Sequence, residues 1–443
     1  MKIQLSEHFT YKKLLRFVIP SIIMMIFTSI YGVVDGLFVS NFAGKEAFSA
    51  INIIMPFLMI LGTIGFMLGA GGSAIVSKTL GEGDKQKARE YFSMFVYTSI
   101  ILGIIFSIAG IILLRPISIL LGASESMIDN CVLYGRIILI SLTAFILQNI
   151  FQSFLVTAER PKIGLLVTTA AGVTNMVLDF LFVGVFKWGI MGAAVATSIS
   201  QLVGGIVPLV YFASRNSSLL CLTKAKFNTG IFIKACTNGA SELMTNVSLS
   251  LVNMLYNFQL MRIDPENGVA AYGVIMYAGF IFVSIFIGYS IGMAPLAGYN
   301  YGAQNHDELK NIFRKSLIII CLSAVAMTVA AELAAYPLAK IFVGYDSSLL
   351  SLSVRSFRIY SISFLLCGMN IFGSAFFTAL GNGAVSAAIS FLRTLLFQVI
   401  CVLILPEILA EDGIWFSSAA AELLSLAVTS ICLVKYKSRY KYA

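Results

Sequence analysis

The sequence predicts an all-α integral membrane protein, with twelve transmembrane helices in two six-helix lobes related by a parallel pseudo-twofold repeat. Three observations carry this. The chain of 443 residues is 58% apolar and only 12% charged, against about 25% charged in an ordinary soluble protein. Its mean hydropathy is +0.91. Apolar runs of spanning length, about 20 residues each, recur along the whole chain, and the chain matches itself at an offset of 221 to 224 residues. A soluble domain, a disordered chain and a coiled coil are excluded.

Span 1 covers 14–40, with Pro20 early and Asp35 late. Span 2 (49–77) carries Met55, Met59 and Met67 and the glycine-rich Gly69–Ser73; at that depth the glycines suit close helix packing better than phosphate binding. Span 3 (91–114) stops before Pro116. Span 4 (132–157) contains Gln152, span 5 (163–186) contains Asn175 and Asp179, and span 6 (189–213) contains Thr197. The polar stretch Arg215–Asn228 is the expected linker between an N-terminal lobe, 1–218, and a C-terminal lobe, 219–443. Span 7 (230–261) carries Glu242, Asn246, Asn253 and Asn257. Spans 8 (268–299), 9 (312–334) and 10 (352–380) follow, then span 11 (383–406) with Arg393 and span 12 (412–434) with Glu422. The loops are too short for a soluble domain. Met1–Thr10 is polar and the run after it is of full membrane length, so no cleavable signal peptide is expected.

Lys and Arg set the orientation. Of the 30 such residues, 21 fall on the side of the two termini and eight on the other, with Arg393 inside a span. Both termini are therefore expected in the cytoplasm of a cell with a multi-pass protein in its cytoplasmic membrane. The net charge of +9 then reflects basic loops facing an anionic leaflet rather than nucleic acid. Seven scattered Cys without a C-x-x-C pair and two distant His, His8 and His306, give no metal cluster. No nucleotide or hydrolase motif is present, so neither an enzyme nor a bound cofactor is expected.

The internal match aligns Gly81 with Gly302, Pro116 with Pro337, Arg136 with Arg358, and Gly189–Ala194 with Gly413–Ser418. Six helices per half place both halves the same way round, a parallel repeat of the kind transporters use to handle substrate between lobes.

Ionisable groups inside the membrane cost about 2.5–3.5 kcal/mol on insertion scales and mark function by default. Asp35, Asp179 and Thr197 sit roughly 7–12 Å below the boundary opposite the termini, at 1.5 Å per helical residue. Asn175 lies one turn from Asp179 on the same face. Two carboxylates, an amide and a hydroxyl thus meet at one level. Two carboxylates in a poorly hydrated cavity cannot both ionise cheaply, so the site takes a proton, or its oxygens ligate Na⁺. The second half has Phe397 and Cys401 at the equivalent positions, which confines the pair to the N-lobe. Glu242, Asn253, Asn257 and Arg393 are candidate cleft residues; Arg393 and Glu422 could pair instead. Glu332 reads as interfacial. Met24, Met25, Met55, Met59 and Met67 with Phe27, Phe57 and Phe66 offer an adaptable apolar surface.

The chain resembles the multidrug and toxic compound extrusion (MATE) family, most closely its small bacterial drug-efflux branch. Pro20, the Val-Asp pair at Asp35 followed by Gly44-Lys45-Glu46-Ala47, the loop opening at Gly81, the Asn175/Asp179 pair and Pro295–Ala303 carry the resemblance. It implies a cation-coupled antiporter, H⁺ or Na⁺, exporting amphipathic and often cationic drugs by alternating access. By similarity Asp35, Asn175, Asp179 and Thr197 match the ion-coupling positions, and Gln152 falls where many relatives carry Asn. The loop after span 4 departs from the family's pattern, reading Leu155-Val156-Thr157-Ala158-Glu159. The expected partners are small-molecule drugs and the lipid bilayer, with function as a monomer. The alternative is a lipid or lipid-linked precursor flippase of the same broader superfamily.

Overall fold

The computed structural model describes residues 3–39, 45–214, 217–264 and 267–443. Met1, Gly44 and Arg215, named above, lie outside them. Among the described residues the chain is helical with no strand. The first lobe holds α1 (Tyr11–Phe38), α2 (Lys45–Gly81), α3 (Lys85–Leu120), α4 (Glu125–Ile140), α5 (Leu142–Thr157), α6 (Pro161–Asp179) and α7 (Gly189–Ala213). The second holds α8 (Thr229–Asn238), α9 (Ala240–Ile263), α10 (Gly268–Gly302), α11 (His306–Val343), α12 (Ser347–Ser361), α13 (Phe364–Ala379), α14 (Gly383–Phe391), α15 (Phe397–Leu409) and α16 (Glu411–Tyr440). Short polar side chains start these helices by accepting from the backbone of the first turn. Thr10 accepts from the Lys13 N–H, Asp84 from Lys87, Asn305 from Glu308 and Asn382 from Val385.

Eleven membrane-length apolar spans are found among the described residues when each of two bent pairs counts as one. The twelfth, α8 with α9, is long enough but too polar: Ser241, Glu242, Asn246, Asn253, Asn257 and Gln259 interrupt it. The bends confirm the repeat at the level of shape. α4 and α5 meet at 54° across Ser141, and α12 and α13 meet at 46° across Ile362 and Ser363. Ser141 and Ile362 are repeat mates. Several boundaries move: α3 continues through Pro116 to Leu120, and α11 through Pro337 to Val343, among others. A membrane helix tolerates proline where neighbouring groups satisfy the freed carbonyl.

Each lobe has its own core. Phe92, Phe95, Phe151, Phe154 and Phe212 pack edge-on and stacked in the first. Tyr256 stacks on Tyr272, and Phe282 on Phe364, in the second. A third cluster joins the lobes at the end where the chain starts and stops, burying Leu5, Phe9, Phe313, Phe376 and Tyr442 together. At this terminal end the lobes also meet backbone to backbone. Gly71 of α2 lies on the Ala235 carbonyl of α8, and Gly239 lies on the Met67 carbonyl. Outward, Ile101, Ile104, Ile105, Ile108 and Ile112 of α3 remain exposed, an apolar face suited to lipid.

Candidate functional site

The site is built where α1, α6 and α7 pack side by side. Asn175 and Asp179 are buried on the inner face of α6, at 2% and 0% exposure. Asp179 ends the regular helix: a wide π turn, Phe180–Val185, begins at the next residue. Such turns free backbone groups and re-aim side chains, and they gather at functional positions. Asp35 reaches the same point from α1, half-buried, with its carboxyl within hydrogen-bonding reach of that of Asp179. Two carboxylates both accept, so this contact becomes a bond only with a proton or a cation between them. The Asn175 amide nitrogen faces the Thr197 hydroxyl at 3.5 Å. The structure thus brings Asp35, Asn175, Asp179 and Thr197 into one group.

The oxygens of this group define its chemistry. Asp35 Oδ1, both carboxyl oxygens of Asp179 and Asn175 Oδ1 are buried and accept no hydrogen bond from any described group. Gln148 Oε1, on α5, is in the same condition. Buried acceptors without donors cost about 1–3 kcal/mol each, and a proton or a cation among them would offset that cost. The donor set is all oxygen, suited to a hard cation or a proton. Among the described residues no group of three or more His, Cys, Asp and Glu could hold a metal ion.

Aromatic hydroxyls surround the pair, and sequence reasoning missed them. Tyr31, one turn before Asp35 on α1, meets the side chain of Gln148 and feels the Asp35 charge. Tyr134 of α4 lies near both aspartates. Tyr277 of α10, from the other lobe, lies near Asp35 and closes against Gly36. Only the spacing of Tyr31 and Asp35, four residues apart on one helix, was visible in sequence. Gln152 is buried on α5 one turn beyond Gln148; none of the described hydrogen bonds joins it to either aspartate.

The C-lobe polar residues divide. Arg393 stands in the second π turn, Leu392–Leu396, and is clasped by Glu422. Its Nε donates to both carboxyl oxygens at 2.8 and 3.0 Å, and a second nitrogen lies 2.8 Å from Oε1. Asn370 donates to Glu422 Oε2 at 2.7 Å and accepts from the Thr429 hydroxyl at 2.8 Å. Glu242 is half-buried in the first turn of α9, within electrostatic reach of Arg393. Asn253 accepts from the Tyr272 hydroxyl at 2.8 Å, and Asn257 is half-buried one turn further on. Glu332 accepts from Ser361 and faces Arg358 at 3.6 Å.

The two halves of the chain each match one family model, MatE, over residues 20–181 and 243–404. The chain belongs to the MatE family. The two matches start 223 residues apart, the offset of the internal repeat. MatE proteins are transporters, not enzymes, and this one is a multi-pass protein of the cell membrane. The multidrug export protein MepA of Staphylococcus saprophyticus is 24% identical over 424 residues, covering 95% of this chain and 91% of its own. MepA of Staphylococcus haemolyticus is 23% identical over 437 residues, covering 98% and 95%. Among solved structures, a MATE protein in complex with MaL6 superposes with a TM-score of 0.93 at 22% identity, over 99% of this chain and 98% of that one. A MATE-family multidrug resistance transporter of the MOP superfamily in its outward-facing conformation gives the same TM-score, identity and coverage. The MatE fold accounts for the two bundles of six spans.

Proposed function

We propose that this MatE protein is a multidrug efflux antiporter that couples the entry of H⁺ or Na⁺ to the exit of amphipathic, often cationic compounds. One observation carries the reading: four buried acceptor oxygens of Asp35, Asp179 and Asn175 stand together without a hydrogen-bond donor among the described residues. With the cation bound, Asp35 and Asp179 share its charge and α1 seats against α6. Without it the two carboxylates repel, which favours a different placement of α1. The cation thereby shifts the balance between the two lobe arrangements and so the affinity for drug. The likeness in sequence to proteins named for multidrug export supports the substrate class.

Both termini lie in the cytoplasm in this reading, following the bias of Lys and Arg. The lobes, 1–218 and 219–443, close at that end and drug leaves towards the other. Glu242, Asn253, Asn257 and Arg393 line the C-lobe wall of the cleft. Glu242 is the candidate counter-charge for a cationic drug, since Arg393 is already held by Glu422. The proposed functional unit is a monomer.

The test is ethidium efflux from vesicles containing the purified protein, with a pH gradient and a Na⁺ gradient imposed separately. Efflux driven by the pH gradient alone assigns the aspartates to a proton, and a requirement for Na⁺ assigns the same oxygens to the metal ion. Absence of efflux under both gradients overturns the proposal.

A further inference from the structure

A cavity of about 300 Å³ opens at the terminal end, between the lobes and away from the aspartates. Lys78 of α2, Glu82 in the turn after it and Lys87 of α3 face it from the first lobe; Lys234 of α8, Tyr301 of α10 and Arg439 of α16 face it from the second. Four cations therefore meet one carboxylate. Lys78 is partly engaged, 3.8 Å from Glu82 and 5.3 Å from the centre of the Tyr301 ring. Lys87, Lys234 and Arg439 have no described carboxylate within ion-pair distance. Like charges gathered around one cavity repel, and the arrangement becomes favourable when an anion fills it. Asn238 adds a second requirement. It lines the same cavity, is 2% exposed, and its Oδ1 accepts from no described donor although its amide nitrogen is fixed to the Thr378 carbonyl. An anionic occupant answers the cations, and a hydroxyl on it answers the Asn238 oxygen.

The geometry points to a site for a hydroxyl-bearing phosphate group in this cavity, either a free phosphate or the phosphoglycerol headgroup of an anionic lipid. Arg439 and the lysines take the phosphate oxygens, and Asn238 takes the hydroxyl. Because the cations come from both lobes, the ligand is held only while the terminal ends are together, and its binding favours that arrangement. The lipid source rests on the proposed orientation, in which this end faces the anionic inner leaflet; the binding itself does not.

The experiment titrates the purified full-length protein in neutral detergent at low salt with inorganic phosphate and with water-soluble dihexanoyl phosphatidylglycerol. Dihexanoyl phosphatidylcholine, zwitterionic and without a free hydroxyl, is the control. Saturable binding of the phosphatidylglycerol alone identifies a lipid headgroup, and binding of phosphate as well identifies the phosphate as sufficient; both support the site. The K234Q/R439Q double variant is expected to bind about tenfold or more weakly. K87Q, changed at an exposed rim position, gives a smaller loss and guards against misfolding of the double variant. Asp179→Asn keeps saturable binding that prefers phosphatidylglycerol to phosphatidylcholine, with an affinity moved only by the lobe balance, which separates this site from the coupling site. No saturable binding to the unmodified protein, equal binding of both lipids, or full binding by both basic-site variants overturns the inference.

Discussion

Gly81 of α2 and Gly302 of α10, 221 positions apart, each lie against the other's helix. A side chain on Gly81 would meet the Tyr299 carbonyl, and one on Gly302 would meet the Lys78 carbonyl. Lys78 and Tyr299 differ by the same 221 positions. The contact therefore maps onto itself under the repeat, and the pseudo-twofold axis passes through it.

The opposing atoms are backbone, which cannot yield as a flexible side chain can. Overpacking of this kind costs about 1–3 kcal/mol, enough to shift a two-state balance by about tenfold or more. Gly81→Val and Gly302→Val are each expected to cut ethidium efflux by about tenfold while leaving expression and monodispersity intact. Near-normal efflux from both variants would show that this end need not close during transport.

Asp179→Asn removes the fully buried member of the acidic pair and is expected to abolish efflux with normal expression. Asn175→Ala removes a neutral oxygen and discriminates between ions. In Na⁺-driven vesicles it should raise the half-saturating Na⁺ concentration about tenfold, the effect of losing roughly 1.4 kcal/mol of ligation. In vesicles driven by a pH gradient it should change the rate little. Unchanged drug resistance in cells carrying Asp179→Asn would sink the coupling mechanism.

The N-terminal segment straps the two lobes together. The Leu5 N–H donates to Glu159 Oε1 at 2.8 Å, and the Phe9 N–H to Glu308 Oε1 at 2.8 Å. His8 Nδ1 lies 2.6 Å from Glu308 Oε2, and Lys315 donates to the Phe9 carbonyl at 2.6 Å. Glu308→Ala removes the acceptor of the Phe9 N–H and the partner of His8, at a cost of about 1–3 kcal/mol, and should lower the thermal midpoint in detergent. Glu308→Gln keeps an accepting oxygen and should lower it less. Equal midpoints for Glu308→Ala and the unmodified protein would mean that the strap adds nothing to stability.

The Arg393–Glu422 pair is buried, with side-chain exposures of 16% and 6%. Removing one partner leaves a lone charge, at a cost of about 3–5 kcal/mol. Replacing both with apolar residues is often close to neutral. Arg393→Met alone should therefore destabilise strongly, and the R393M/E422L double variant should recover most of the thermal midpoint. If the double variant is as unstable as the sum of the single changes, the pair does more than neutralise itself.

Asp35, Asn175, Asp179 and Thr197 were legible because each is a polar residue in an apolar run, and because helical rise fixes depth. Gln148 and the tyrosines were not. Tyr and Gln are common near membrane interfaces, so nothing in their local sequence separates Tyr134 or Tyr277 from packing residues. The pairing of Arg393 with Glu422 was one of two arrangements the sequence allowed, and side-chain geometry chose between them. His8 and Glu308 are 300 residues apart, and no local pattern could join them.

Taken alone, the sequence determined the membrane class, the number and order of spans, the repeat and the placing of the acidic residues within apolar runs. These follow from hydropathy, length and spacing, which act along the chain. Only the tertiary structure decided which oxygens lack donors, where the lobes touch and which cations share a cavity. Those depend on contacts between helices distant in sequence, and on the π turn after Asp179, which departs from the regular helical repeat that sequence spacing assumes.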